Sequence, residues 1–208
     1  DRTFNLKVAS SVKILGFFLE RMDERLFVHF EVIPDHLPER LKEVIARFPR
    51  GSLQFEVGIQ TWNTEVQALI SRRQDNARAE ATLKWLRENS NAFVHADLIA
   101  GLPGEDLTSF GEGFDRLYAL HPHEIQVGIL KRLRGTPIAR HIESYSLRFN
   151  PDAPYNVLST DRVSFADMQR VARFARYWEL VGNSGRFQRA VPLLAGASPF
   201  EQIGRAHV

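Results

Sequence analysis

The stretch HADLIAGLPGEDLTSF, residues 95–110, decides how the rest of the chain is read. It runs as a strand through Ile99, turns through Gly101-Leu102-Pro103-Gly104, and opens a new helix with the acidic pair Glu105-Asp106. Side chains alternate across a strand, so Val94, Ala96 and Leu98 point one way, and His95 and Asp97 the other. Buried parallel strands are usually apolar on both faces. The polar face therefore needs an explanation.

Three further segments repeat the pattern. The spacing predicts strands at 26–33, 53–59, 93–99 and 124–130. One shared face carries Val28, Phe30, Leu53, Phe55, Val57, Val94, Leu98, Ile125 and Val127. The other carries His29, Glu31, Gln54, Glu56, Gln60, His95, Asp97 and Gln126. Helical spacing falls between them at 11–22, 37–48, 64–70, 77–88 and 107–120, with Phe110, Phe114, Leu117 and Tyr118 inward on the last. Strand alternating with helix through short connections predicts parallel strands joined by crossovers.

Burying an unpaired polar group costs about 2–7 kcal/mol, and a whole domain is stable by only about 5–15 kcal/mol. The polar face must therefore pair internally, meet water, or line a ligand cavity. A curved parallel sheet with a polar lumen fits, which predicts an α/β fold forming a complete or partial (β/α) barrel. Barrel chemistry sits at the C-terminal strand ends, here Glu31, Gln60, Asp97 with Ile99-Ala100-Gly101, and Leu130-Lys131. Gly58, Gly101, Gly104 and Gly128 would let a ligand approach the backbone; Gly101 and Gly104 equally suit a tight strand-to-helix turn.

After Thr136 the rhythm stops. A short helix is expected at 137–143, a loop at 148–157, and a long helix at 164–181 with Phe165, Met168, Val171, Ala172, Phe174, Ala175 and Trp178 inward. The expected organisation is a partial barrel over 1–143, a mainly helical extension over 144–201, and a tail, 202–208, of non-native character. That tail resembles a translated sequencing-adapter read, and the chain opens at Asp1 in what reads as a loop after a strand. Both ends are expected to be those of a fragment.

Composition narrows the classes. Lys and Arg total 27 against 25 Asp and Glu, and the charges are dispersed. The densest basic spot, Lys131-Arg132-Leu133-Arg134, is shorter than the stripe or face of a nucleic-acid binder. No apolar run approaches the roughly 20 residues of a membrane span, and a cytoplasmic location is the expectation. The chain has no cysteine, so these residues alone make no disulfide, Cys-held zinc or thiolate-held iron–sulfur cluster.

His29, Glu31, His95 and Asp97 could form the metal site of a β/α-barrel hydrolase, although the His-x-His pair common in such barrels is absent. Hydrogen-bonded strand histidines are the alternative. Glu31 and Asp97 could also serve as a glycosidase carboxylate pair, with nothing to set their separation. GLPGED lacks the Gly-Lys-Ser/Thr of a phosphate-binding loop. A non-catalytic α/β scaffold module is a further reading.

Taken in order and spacing, VGIQTWN (57–63), ISRRQD (70–75), DLIAGLPGED (97–106) and IQVGILKRLRGTP (125–137) resemble the later strands of a radical S-adenosylmethionine (SAM) enzyme barrel. DRTFN (1–5) and HFEV (29–32) are similar to a subgroup with an N-terminal cobalamin-binding domain and a C-terminal domain of unknown function. The segment from Ala153 to Phe187 resembles that last domain, with Ala153 and Asn156 departing from its usual Pro-Pro-Tyr-Glu wording.

The resemblance implies that the backbone from Ile99 to Gly101 meets the adenine of SAM and that Glu105 orders the turn. It implies that Gln60 and Glu31 face the ribose or methionine, and that Arg72 or Arg73 pairs the SAM carboxylate. Leu130 and Lys131 would close the adenine side. An exposed helix-turn cation is the alternative for both arginines. The Cys-x-x-x-Cys-x-x-Cys loop that holds the [4Fe-4S] cluster in this superfamily is absent and is expected upstream of Asp1, with any cobalamin domain further upstream. The parent would cleave SAM reductively to begin radical chemistry on a small-molecule substrate. No residue here is assigned as a metal ligand. The strand edge before Leu26 is expected to be open and to self-associate.

Overall fold

The computed structural model describes residues 3–205. Four strands, β1 (Val28–Val32), β2 (Leu53–Gln60), β3 (Phe93–Ala100) and β4 (Glu124–Ile129), form one parallel sheet in the order β1-β2-β3-β4. Helices α1 (Val8–Leu19), α2 (Glu39–Ile45), α3 (Thr64–Leu69), α4 (Asn76–Asn89) and α5 (Leu107–Tyr118) precede or connect them. This is the expected α/β class, with each strand within two residues of its expected limits. The non-polar alternation holds along β2 and β3, where every second residue is buried and its neighbours are half-buried.

The described residues divide into two compact units. The first comprises residues through Ile59, Gln74–Asp97 and Leu120–Glu124. Its core is built on Leu53, Phe55, Val57, Val94 and Ala96, packed with Leu15, Leu41, Phe48 and Leu83. β1 and β2 pair in parallel with Val28 opposite Leu53 and Glu31 opposite Glu56. Asn5, fully buried, acts as a surrogate strand beside the end of β1. Its Oδ1 accepts from Ile33 N at 2.8 Å, while its Nδ2 donates to Ile33 O at 2.8 Å and His36 O. The expected helix at 11–22 starts three residues earlier. It buries only Ser11 and Leu15 and leaves Ile14 and Phe17 exposed, so its apolar face is wider than the core that it covers.

The second unit comprises Gln60–Arg73, Leu98–Ala119 and the described residues from Ile125 onward. Here the expected loop at 148–157 holds a small antiparallel ribbon, β5 (Arg148–Phe149) with β6 (Val157–Ser159). Strands of two and three residues carry no readable period. A single antiparallel bridge joins Lys131 to Asn156 next to this ribbon. Helix α6 (Phe165–Trp178) buries Met168, Val171, Phe174 and Trp178. Phe165 and Ala172 were expected inward and are exposed; Phe165 is the first helical residue, ahead of the buried stripe that begins at Met168. Tyr118 is likewise only half-buried. A π turn at Glu179–Asn183 follows, then α7 (Val191–Ala195) and α8 (Pro199–Arg205). The tail expected at 202–208 is helical through Arg205, and its last three residues lie outside the described residues. Asn183 repeats the device of Asn5. Its Oδ1 accepts from Ile125 N at 3.1 Å and its Nδ2 donates to Ile125 O at 3.0 Å.

Among the described residues no helix is long and apolar enough to cross a membrane.

Candidate functional site

The second unit gathers most of the residues singled out from the sequence at the ends of β2, β3 and β4. Gln60 is the last residue of β2 and adopts a left-handed backbone, φ +68°. That conformation is uncommon for a residue with a side chain, and such outliers cluster at functional sites. Its Oε1 is buried without a hydrogen-bond partner. Buried polar atoms in folded proteins are overwhelmingly paired, so the orphan acceptor at this strand end is an exception.

Thr61 ties this strand end to the turn after β3. Its Oγ1 donates to Glu105 Oε1 at 2.5 Å and accepts from Asn63 N at 3.0 Å. Asn63 caps α3 through Oδ1 and donates from Nδ2 to Ser109 Oγ, which reaches Glu105 Oε1 at 3.4 Å. Asp106 caps α5 by accepting from Ser109 N. Glu105 is only 3% exposed. Burial pushes its carboxyl up to about 7, against the lowering effect of the Thr61 and Ser109 hydrogen bonds.

Gly101 follows β3 with φ +85°, and a Cβ there would lie 2.5 Å from Val157 Cγ1 and 3.3 Å from Met168 Cε. The close approach that glycine permits at this position is thus made by the chain itself rather than reserved for a ligand. Gly104, φ +78°, is similarly tight against Leu69. Ile99 and Leu130 pack in one apolar cluster with Val66, Leu102, Val157 and Met168. Leu130 N donates to Ala100 O, and Val157 N to Leu130 O. Lys131 is exposed. Arg73 is exposed and has no partner among the described residues, whereas Arg72 is half-buried and donates its N–H to Gln67 O. Arg140, which the sequence did not single out, donates to Leu69 O at 2.9 Å and Ser71 Oγ at 2.7 Å and so braces the loop that carries both arginines.

Glu31 belongs to the first unit. It is exposed on β1, with Glu56 opposite it and His29 Nε2 3.3 Å from Glu56 Oε2. On the same polar face His95 sits between two carboxylates. Its Nε2 lies 3.0 Å from Asp97 Oδ1, an ion-pair distance with an off-line hydrogen-bond direction, and its Nδ1 lies 2.9 Å from Glu124 Oε2. Asp97, then Glu124, hold the imidazole up at about 9 in spite of partial burial. Both ring nitrogens are therefore engaged. Among the described residues no group of three or more His, Cys, Asp or Glu side chains is arranged to hold a metal ion, so the hydrolase arrangement of His29, Glu31, His95 and Asp97 does not form.

A groove of about 560 Å³ is lined by α5, α6 and α8, including Gly111, Phe174 and Phe200, and by none of the strand-end residues above. No sequence signal pointed to it.

Toward a nucleoside such as the adenosyl half of SAM the strand ends supply the Gln60 acceptor and the apolar side chains of Ile99 and Leu130. An iron–sulfur cluster they do not fit: the chain has no cysteine to supply thiolates.

Residues 143–201 match a family described as a protein of unknown function (DUF4080). Anaerobilin synthase of Escherichia coli O157:H7 is 29% identical over 94 residues, which are 45% of this chain and 21% of that protein. Coproporphyrinogen III oxidase (HemN) from Escherichia coli, described as a radical SAM enzyme, superposes with TM-score 0.60 at 22% identity, over 84% of this chain and 37% of that one. The radical SAM methyltransferase TsrM from Kitasatospora setae, solved with tryptophan and a SAM analogue, superposes with TM-score 0.60 at 19% identity, over 74% of this chain and 32% of that one. The two structural likenesses are of fold. The chain thus spans well under half the length of these relatives.

Proposed function

We propose that the chain is part of a radical SAM enzyme and that its second unit forms the adenine and ribose side of a SAM site. The observation that carries the reading is Gln60, a strained strand-end residue whose buried Oε1 has no partner. In this reading Gln60 accepts a hydrogen bond from the ribose. The backbone from Ile99 to Gly101, with Leu130, walls the adenine, and Glu105 orders the turn. Arg73, exposed and without a partner among the described residues, is the cation offered to the SAM carboxylate, a role suited to a guanidinium fork. Lys131 flanks the adenine side.

Bound SAM would supply the adenosyl group that reductive cleavage commits to radical chemistry in the whole enzyme. The cluster that drives such cleavage finds no ligand in these residues, and neither it nor cobalamin is assigned a site here. Both would be held outside this sequence, in a cytoplasmic enzyme acting on a small molecule.

Two experiments test this. Titration of the chain with SAM should give weak, saturable binding, reduced by Gln60→Ala about tenfold, as for the loss of one hydrogen bond of about 1.4 kcal/mol. Anaerobic incubation of the same chain with iron, sulfide, SAM and a strong reductant should give neither cluster absorption nor 5′-deoxyadenosine. Binding indifferent to Gln60→Ala would refute the site. Cluster absorption with product would refute the division of labour.

A further inference from the structure

We propose that Thr61 and Glu105 are positioning residues, which lock Gln60 in its left-handed conformation and so aim its amide at the bound nucleoside. The proposal rests on the reading of the strand ends as a SAM site and adds to it the device that keeps the site in shape.

Residues 61 and 105 are 44 positions apart, and both are almost completely buried. The donors around them point in one direction. Asn63 N donates to Thr61 Oγ1, which donates to Glu105 Oε1; Asn63 Nδ2 donates to Ser109 Oγ, which donates to the same Oε1. Glu105 Oε1 is the sink of both branches, while its Oε2 is buried with no partner. The Thr61 backbone is also held, because Gln67 Nε2 donates to its carbonyl at 2.8 Å. The residue after Gln60 is therefore fixed at both its side chain and its carbonyl.

That fixation matters because Gln60 does not choose its backbone. A glutamine gains nothing from φ +68° and relaxes to an extended conformation when released. Such outliers persist only where the surroundings over-determine them. Extended, the side chain at 60 would leave the strand on a different heading, and its amide would no longer occupy the strand end. Ser109 contributes at a longer 3.4 Å, so the Thr61 hydroxyl is the principal link.

The test uses the whole chain, isotopically labelled, with SAM as the probe. Backbone carbon shifts and the amide–Hα coupling of Gln60 report its φ without ligand, and titration reports affinity. Thr61→Val removes the donor at constant shape, and Thr61→Ser restores it. Thr61→Val is expected to move Gln60 to extended values and weaken SAM binding by about tenfold or more, whereas Thr61→Ser keeps both. A second pair covers the case in which Thr61→Val does not fold. Glu105→Gln retains an acceptor and should keep the Gln60 shifts; Glu105→Leu has none and should lose them. Gln60 remaining left-handed in both Thr61→Val and Glu105→Leu overturns the proposal, as does equal loss of affinity in Thr61→Ser and Thr61→Val. A wild-type chain that binds no SAM, yet whose Gln60 responds in this way, upholds the positioning and overturns only the identity of the ligand.

Discussion

Gly101 and Val157 share one space: the position that a Cβ would occupy on residue 101 is 2.5 Å from Val157 Cγ1. The turn after β3 and the first residue of β6 are therefore a fitted pair, and even the smallest substitution in the turn is damaging. Gly101→Ala meets both a left-handed backbone, which costs a side-chain-bearing residue about 1–2 kcal/mol, and an overlap worth about 1–3 kcal/mol. Urea denaturation should report a combined loss of about 2–5 kcal/mol. Adding Val157→Ala should recover the overlap but not the backbone cost, so the double variant should be more stable than Gly101→Ala alone.

Asn5 offers a second test, in the first unit. Asn5→Ala leaves Ile33 N, Ile33 O and His36 O without their side-chain partner. Each buried group left unpaired costs about 1–3 kcal/mol. The expected destabilisation is at least about 2 kcal/mol, given that water can reach part of the site. Asn5→Asp, which keeps the acceptor for Ile33 N and loses both donations, should be nearly as damaging. Chemical denaturation that finds either variant unchanged would remove Asn5 from the account of how the end of β1 is held.

Much of this architecture was legible in the chain and some was not, for physical reasons. The two-residue period along Leu53–Gln60 and Phe93–Ala100 is a consequence of burial on one face, so both strands and their polar sides could be read directly. Gln60, Ile99, Gly101 and Glu105 could be picked out by resemblance. What could not be read are contacts between residues far apart in sequence. Nothing local distinguishes Asn5 or Asn183 from a surface asparagine until each is seen paired with a strand-end backbone. Thr61 is equally silent, because its partner lies 44 residues away. The same applies to Val157, whose three-residue strand has no readable period, and to Arg140, whose acceptors are 71 and 69 residues distant.

Stability should fall as pH rises, in two stages. Glu105 is raised to about 7 from 4.5, so its contribution is present below its unfolded value and is lost as pH climbs through 7. His95 is raised to about 9 from 6.5; its contribution is complete below 6.5 and is lost as pH climbs through 9. His123, lowered from 6.5 to about 4 by burial, works against this decline below pH 6.5, so denaturation midpoints followed from about pH 6.5 to 10 should fall. Glu105→Gln should flatten the lower stage and His95→Gln the upper. A midpoint that rises across this range in the wild type would contradict both assignments.

β1 lies at the edge of the sheet, and the first unit exposes Leu6, Ile14, Phe17 and Phe27 on the segments that flank it. Open strand edges bordered by apolar side chains promote pairing between molecules. Sedimentation should show association that grows with concentration, and a charge placed on the outer edge, as in Phe27→Lys, should reduce it. A monomer at every concentration would rule out edge pairing.

The most direct measurement is a map of where a nucleoside binds. 5′-Deoxyadenosine titrated into the isotopically labelled chain should shift the amides of Gln60, Ala100, Gly101 and Leu130 together, along one saturating curve, with the Gln60 side-chain amide among the largest movers. Gln60→Ala should weaken the curve without relocating it. Shifts confined to the His95–Asp97–Glu124 face, or to the groove between α5, α6 and α8, would contradict the account, and so would no shift at all.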